Sequence, residues 1–270
     1  MIILVLSSCR AKHGGGALAE EAPLPPAAGP SRNQPPPAGP PAGEEKQQPA
    51  LARLPPRGRN GTVIGNPAEF LAELDSVLAS DTEGLLVLVD KHHSLPEGYA
   101  PADLVPLVKN NAYGISRNDL SLRAPAEAAL REMALAAQKD GVSLTASSTY
   151  RSYEYQVEVY GRNVRQSGKE VADRESAQPG KSQHQLGTVV DFGSITDEFA
   201  HTKAGRWLLA HAGEYGWSLS FPEGYEDVTG YRWECWHYRF IGKGAAAFQK
   251  KWFSDIQQFM LEFLSAWKSL

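Results

Sequence analysis

The stretch Ser182-Gln-His184-Gln-Leu-Gly187-Thr-Val-Val-Asp191 decides how this chain is read. Its counterpart downstream is Glu234-Cys-Trp-His237. Together the two pieces hold a pair of imidazoles and a pair of carboxylates. Three N/O ligands with an open fourth position describe a catalytic zinc site, and a spare carboxylate supplies proton chemistry. The expected chemistry is metal-dependent hydrolysis.

Spacing constrains how these groups can meet. His184 and Asp191 are seven positions apart, and an odd separation in one continuous strand sends two side chains to opposite faces. They converge only if the chain turns between them, and Gly187 is the residue that permits it. His184 is therefore expected in a turn and Asp191 in the strand that follows. Glu234 and His237 are three apart, so the same parity predicts a bend between them. In an extended segment His237 would share a face with Cys235 and Arg239. Trp236, Tyr238 and Phe240 would then face the core. The other histidines, among them the His92-His93 pair and His211, lack a partner motif.

Outward from the motifs, the pattern gives elements. Asn66-Pro67 reads as the N-cap and first position of a helix. Leu85-Leu-Val-Leu-Val89 reads as a short buried strand. A helix starts near Pro125, with Ala126, Leu130, Met133 and Ala137 on one stripe and Gly141 beyond its end. Val142 to Ser148 reads as a strand leading into Thr149-Tyr-Arg151. Residues 164–181 read as a polar loop. A further helix covers Lys203 to Tyr215, with Gly216 after it, and Trp233 to Phe240 is strand-like. Ala245 to Leu270 reads as one amphipathic helix. Its Phe248, Trp252, Ile256, Phe259, Phe263 and Trp267 lie near one face and are expected to pack on the core rather than on a membrane. Strands and helices do not alternate regularly. The fold class is thus α+β, a single domain with a central, mainly antiparallel sheet flanked by helices.

Composition sets the limits. Of 270 residues, 42% are hydrophobic and 21% charged, with a net charge of -4. That charge gives no reason to expect nucleic acid or an anionic membrane surface as partner. Mean hydropathy is -0.37, and no apolar run approaches the roughly 20 residues that span a bilayer. Twelve of the 19 prolines fall between Pro23 and Pro56. Residues 10–60 are therefore expected to form a Pro-rich disordered linker. Met1 to Cys9, ending Leu6-Ser-Ser-Cys9, resembles a lipobox without its charged start. Residues 1–9 are expected to be a truncated lipoprotein signal, with Cys9 as a lipid anchor and Cys235 left without a disulfide partner. The catalytic domain is expected over residues 61–270.

The order Ser182-x-His184-x-x-Gly187-x-x-x-Asp191, then Glu234-x-Trp236-His237, resembles the VanY-type D-alanyl-D-alanine carboxypeptidases. These are zinc peptidases of bacterial cell-wall metabolism. The resemblance extends over most of residues 85–242. It includes Tyr150-Arg-Ser-Tyr153 with Gln156, His211-x-x-Glu-Tyr-Gly216-Trp, and Gly230-Tyr-Arg-Trp-Glu234. It departs at Val189, where a small Ala is usual, and at Cys235, where Pro is common. Neither position is a ligand in that family.

The resemblance implies a hedgehog/D-Ala-D-Ala peptidase-like fold. It implies Zn2+ held by His184, Asp191 and His237, with Glu234 as the catalytic base. Arg151 is the candidate for oxyanion stabilisation. Gln156 and Ser182 are the candidates for orienting the substrate or supporting the ligands. The implied activity is removal of the terminal D-Ala from peptidoglycan stem peptides by a monomer in the cell envelope or periplasm. Two alternatives stand beside it: an L,D-carboxypeptidase acting on tetrapeptide stems, and a non-catalytic zinc-binding module of the same fold.

Overall fold

The computed structural model describes residues 66–269. The expectations for residues 1–9 and 10–60, and for a domain start at Gly61, lie outside the described residues. Helix α1, Pro67–Ser80, opens as the sequence requires. Asn66 Oδ1 accepts from the Glu69 amide at 3.2 Å, and proline fills the first turn, where no amide proton is needed.

Next comes strand β1, Leu104–Pro106, which pairs antiparallel with β3, Ser121–Arg123, as a separate two-stranded ribbon. Strand β2 is Gly114–Ile115. Helix α2, Ala124–Lys139, buries Ala126, Leu130, Met133 and Ala137 as the stripe predicts, and Gly141 follows in the left-handed region at φ 70. Strand β4 is Thr145–Ser148, and β5 is Val189–Phe192. Helix α5, Lys203–His211, continues as a 3-10 turn to Tyr215 and stops at Gly216, φ 82. Strands β6, Trp217–Leu219, and β7, His237–Phe240, complete the main sheet.

That sheet has five strands in the order β2-β4-β5-β7-β6. Three of its four pairings are antiparallel, and only β2 lies parallel to β4. The fold is α+β with a mainly antiparallel sheet, as expected. Val190, Phe192, Trp217, Trp236, Tyr238 and Phe240 pack with the α2 stripe in one core. Strand β7 is buried at every position, so it sits inside the molecule on both faces. No helix among the described residues is long and apolar enough to cross a membrane.

Three expectations need correction. Leu85 to Val89 is not a strand. The segment is buried in part, but its backbone is satisfied from elsewhere. The buried Arg239 guanidinium donates to the Leu85 and Val87 carbonyls at 2.7 and 2.8 Å, and Asp81 Oδ1 accepts from the Leu85 amide at 2.6 Å. A side chain thus replaces the neighbouring strand.

Residues 164–181 are mostly helical rather than a polar loop. Helix α3 is Tyr153–Ser167, α4 is Lys169–Glu175, and only a short connection remains before His184. Gln156 is the one buried residue of α3 and Ala172 the one buried residue of α4, so no apolar stripe marks either helix. The short helix α6, Glu226–Thr229, likewise carries no such stripe.

The C-terminal segment is two helices, α7 at Lys243–Trp252 and α8 at Gln257–Lys268. Ser254 and Asp255 break it at φ 54 and 61. The Gln249 amide holds the break, donating to Asp255 O at 3.1 Å and Oδ1 at 2.9 Å. The apolar face expected there packs inward all the same. Phe70 of α1 lies 5.3 Å from Phe248, 5.4 Å from Trp252 and 5.5 Å from Phe263, ring centre to ring centre. These rings form a second core.

Candidate metal centre and active site

Each motif is placed by a local device. Ser182 Oγ accepts from the His184 amide at 3.3 Å and opens a 3-10 turn, Gln183–Leu186. Gly187 ends it in the left-handed region, φ 69, and the chain then enters β5, carrying Asp191. A Cβ at Gly187 would come 2.9 Å from Leu104 Cδ2 and 3.0 Å from Arg123 Cγ. Both the φ value and the β1/β3 ribbon therefore demand glycine. Gly187→Ala is expected to cost about 1–3 kcal/mol of stability and to weaken metal binding with it. Thermal melts with and without zinc measure this, and an unchanged melting midpoint would contradict it.

Asp191 and His237 are direct partners in the β5–β7 register. Glu234 precedes a turn at residues 235–236, and the His237 amide donates to its carbonyl at 3.2 Å. This is the bend that spacing predicts. It takes Cys235 off the strand altogether, into the core, with its Sγ 3.6 Å from the Thr196 carbonyl.

His184, Asp191 and His237 converge. One ligand atom from each lies within 4.8 Å of the others, and all three residues are buried. Among the described residues this is the one such cluster of three. His184 Nε2 is 3.2 Å from Asp191 Oδ2, and His237 Nδ1 is 3.1 Å from Asp191 Oδ1. The far nitrogens are occupied. His184 Nδ1 donates to the Thr149 carbonyl at 2.7 Å, which leaves its Nε2 lone pair directed inward. Asp191 Oδ1 is buried and accepts no hydrogen bond. A buried carboxylate whose two oxygens each face an imidazole nitrogen, one of them without a hydrogen bond, fits a divalent cation with N/O preference such as zinc.

The electrostatics separate the two acids. Burial pushes Glu234 well above the usual carboxylate value, and the neighbouring Asp191 charge adds to the effect. Burial also acts to raise Asp191, but the facing imidazoles of His184 and His237 outweigh it and hold Asp191 below the usual range. Burial pulls the His237 imidazole down to about 4, so it is neutral at pH 7, as a ligand must be. Two carboxyls with pKa values driven apart suit two roles, one ionised ligand and one proton carrier. Glu234 Oε2 lies 3.5 Å from His237 Nδ1, at the edge of the cluster.

These groups open on a cavity of about 310 Å³, whose lining includes Arg151, Ser182, Ile195, Phe221 and Tyr231. Arg151 Nη1 donates to Gln156 Oε1 at 2.7 Å, and its Nη2 donates to Ser148 Oγ at 3.2 Å. Gln156 is fully buried behind it, with its amide donating to the Ala177 carbonyl at 2.6 Å, and does not line the cavity. It reaches the cavity through Arg151 rather than directly. Ser182 lines the cavity and caps the His184 turn. His93 instead pairs with Asp90 at 2.8 Å, and His211 with Glu214 at 3.0 Å.

Sequence reasoning overlooked Thr149, which acts through a backbone carbonyl and so leaves no side-chain signal. It also overlooked Gln183, whose direction inside a tight turn no periodicity reveals.

Comparison with known proteins matches residues 119–243 to the family model VanY, D-alanyl-D-alanine carboxypeptidase. YodJ of Bacillus subtilis (strain 168), which carries a provisional carboxypeptidase name, is 36% identical over 170 residues. The aligned part covers 61% of this chain and 62% of YodJ, so the chain spans less than two thirds of that relative. Among solved structures, the LdcB LD-carboxypeptidase matches with a TM-score of 0.61 at 32% identity, covering 68% of this chain and 88% of LdcB. A vancomycin-resistance D,D-pentapeptidase VanY, solved as a mutant in complex with Zn(II), matches with a TM-score of 0.54 at 27% identity. There the match covers 67% of this chain and 98% of the other.

Proposed function

Because this chain belongs to the family of VanY-type D-alanyl-D-alanine carboxypeptidases, we propose that it is a zinc carboxypeptidase. Its substrate is a peptidoglycan stem peptide, from which it removes the terminal D-alanine. The observation that carries the reading is Glu234, a half-buried carboxyl of raised pKa beside a three-ligand set that does not need it. A purely structural metal site has no use for a spare base, which argues against a non-catalytic module.

His184, Asp191 and His237 would hold the metal. Zinc, when bound, acts as a Lewis acid and brings the pKa of a water toward about 7. Glu234 takes a proton from the attacking water and delivers it to the departing amine as the C–N bond breaks. The products are the shortened peptide, ending in a carboxylate, and free D-alanine. Arg151, oriented by Gln156 and Ser148, supplies positive charge at the cavity wall for the oxyanion that develops. Ser182 keeps the His184 turn closed.

A second reading has specific support, since the LdcB relative is an LD-carboxypeptidase. The same residues would then act on a tetrapeptide stem. Release of D-alanine by the full chain separates the two, with a pentapeptide ending in D-Ala-D-Ala and a tetrapeptide ending in one D-Ala as substrates. Release from the pentapeptide supports the first reading, and release from the tetrapeptide alone supports the second. A folded, zinc-loaded protein that releases D-alanine from neither would overturn both.

A peptidoglycan substrate places the catalytic domain in the cell envelope, and the proposal includes Cys9 as its lipid anchor. Mass spectrometry of the protein from its native host, finding Cys9 unacylated, would remove that part.

A further inference from the structure

His237 is held from two sides. Its Nδ1 faces Asp191 and Glu234, while its Nε2 lies 3.3 Å from Gln183 Oε1. Gln183 begins a buried polar chain that leads away from the cavity. Ser220 Oγ donates to the same Gln183 oxygen at 2.7 Å, and Gln183 Nε2 donates to Gln257 Oε1 at 3.4 Å. Gln257 Nε2 reaches the Ser218 carbonyl at 3.5 Å, and Ser218 Oγ donates to Gln249 Oε1 at 3.0 Å. Gln183, Ser218, Ser220, Gln249 and Gln257 are all buried.

The chemistry of this chain has a direction. A backbone carbonyl only accepts, so Ser218 O requires the amide nitrogen of Gln257 on its side. Gln257 then presents its oxygen to Gln183, which must answer with its own nitrogen. The oxygen of Gln183 is left facing His237 Nε2 and can only accept there. His237 must therefore carry its proton on Nε2, and its Nδ1 lone pair points at Asp191. A metal ligand's orientation and tautomer are commonly set by the partner of its other nitrogen.

Gln257 lies on α8, beyond the segment 119–243 that matches the family model. We infer that Gln183 is a positioning residue for the metal ligand His237. Gln257, from the C-terminal helix, holds Gln183 in the orientation that does so. The inference rests on the metal centre of His184, Asp191 and His237. A helix packed on the far core would then reach the metal site through two amides, and repacking α7 and α8 would register in metal affinity.

The test uses the full chain and three variants, Gln183→Leu, Gln183→Glu and Gln257→Leu. Zinc affinity is read by competition with a chromophoric chelator. The His237 tautomer is read from imidazole 15N shifts of the zinc-free protein. Thermal melts of the same zinc-free samples show that each is folded. Gln183→Leu is expected to weaken zinc by roughly 10–100-fold and to show a mixture of His237 tautomers. Gln183→Glu retains the acceptor toward His237 but loses the donor to Gln257 Oε1, so it is expected to keep the Nε2–H form and to lose less affinity than Gln183→Leu. Gln257→Leu is expected to fall between the two. Gln183→Leu binding zinc as the parent does, in a folded protein, would overturn the assignment. So would Gln183→Glu losing as much affinity as Gln183→Leu. If Gln183→Leu does not fold, the comparison of Gln183→Glu with Gln257→Leu decides by the same readouts. A parent chain that binds no zinc at all would instead remove the metal centre itself, and this assignment with it.

Discussion

Glu234→Gln is expected to keep its zinc and lose turnover by roughly 10²–10⁴-fold, the usual weight of a positioned acid–base group. Glutamine preserves the shape of the side chain, so the backbone turn at residues 235–236 and the His237 register have no reason to shift. What it removes is a site that can take and return a proton. Burial and the Asp191 charge raise the pKa of Glu234, which makes it a stronger base than an exposed carboxylate. The metal should be unaffected, because His184, Asp191 and His237 form the cluster without it. The loss should fall on kcat more than on KM, since proton transfer is made in the transition state. Steady-state release of D-alanine with parallel zinc analysis checks both halves. Turnover near the parent value would assign the base elsewhere, and loss of zinc would make Glu234 a ligand.

Asp90→Ala is expected to destabilise the fold by about 1–3 kcal/mol, since it removes a buried charged acceptor shared by several donors, of which the Gln258 amide is itself buried. Asp90 Oδ1 accepts from the His92 amide at 2.7 Å and from the His93 amide and Nδ1 at 2.8 Å each. Its Oδ2 accepts from Gln258 Nε2 of helix α8 at 2.8 Å. Burial pushes its pKa up, but the His92 amide and the Gln258 side chain lead the hydrogen bonds that outweigh it, and the net position is below the usual value. A depressed carboxyl lends stability above its unfolded pKa of about 3.9. That stability fades as the pH falls through the folded pKa. The parent should therefore lose stability below about pH 4, and Asp90→Ala should lose less over the same range. Denaturant melts at neutral and acid pH measure it. Identical acid limbs would show that Asp90 carries none of the pH dependence.

Both results bear on how much a sequence of this kind discloses. The site motifs were legible because their constraints are local. Gly187 announces the turn that lets His184 meet Asp191, and the parity of Glu234 and His237 demands the bend that residues 235–236 make. The α2 stripe and the Asn66 cap were equally local. Elements failed to show where the deciding partner is distant or carries no pattern. Leu85 to Val89 has the composition of a strand, but the guanidinium of Arg239, far along the chain, takes the place of a neighbouring strand. Helices α3 and α4 bury too few apolar residues to mark a stripe. The apolar spacing from Phe248 to Trp267 runs across the break at Ser254 and Asp255, where neither Gly nor Pro signals it. Gln156 was legible as a neighbour of Arg151, but only the structure puts Arg151 between it and the cavity.

The most direct measurement starts from the full chain stripped by chelation, with zinc returned in fractions of an equivalent. D-alanine release from the pentapeptide and tetrapeptide substrates is read at each step. Activity should be absent at the start, rise in proportion to zinc, and stop rising at one zinc per chain. Release that survives removal of the metal, or that continues to climb well past one equivalent, would contradict a single metal centre of His184, Asp191 and His237 served by Glu234.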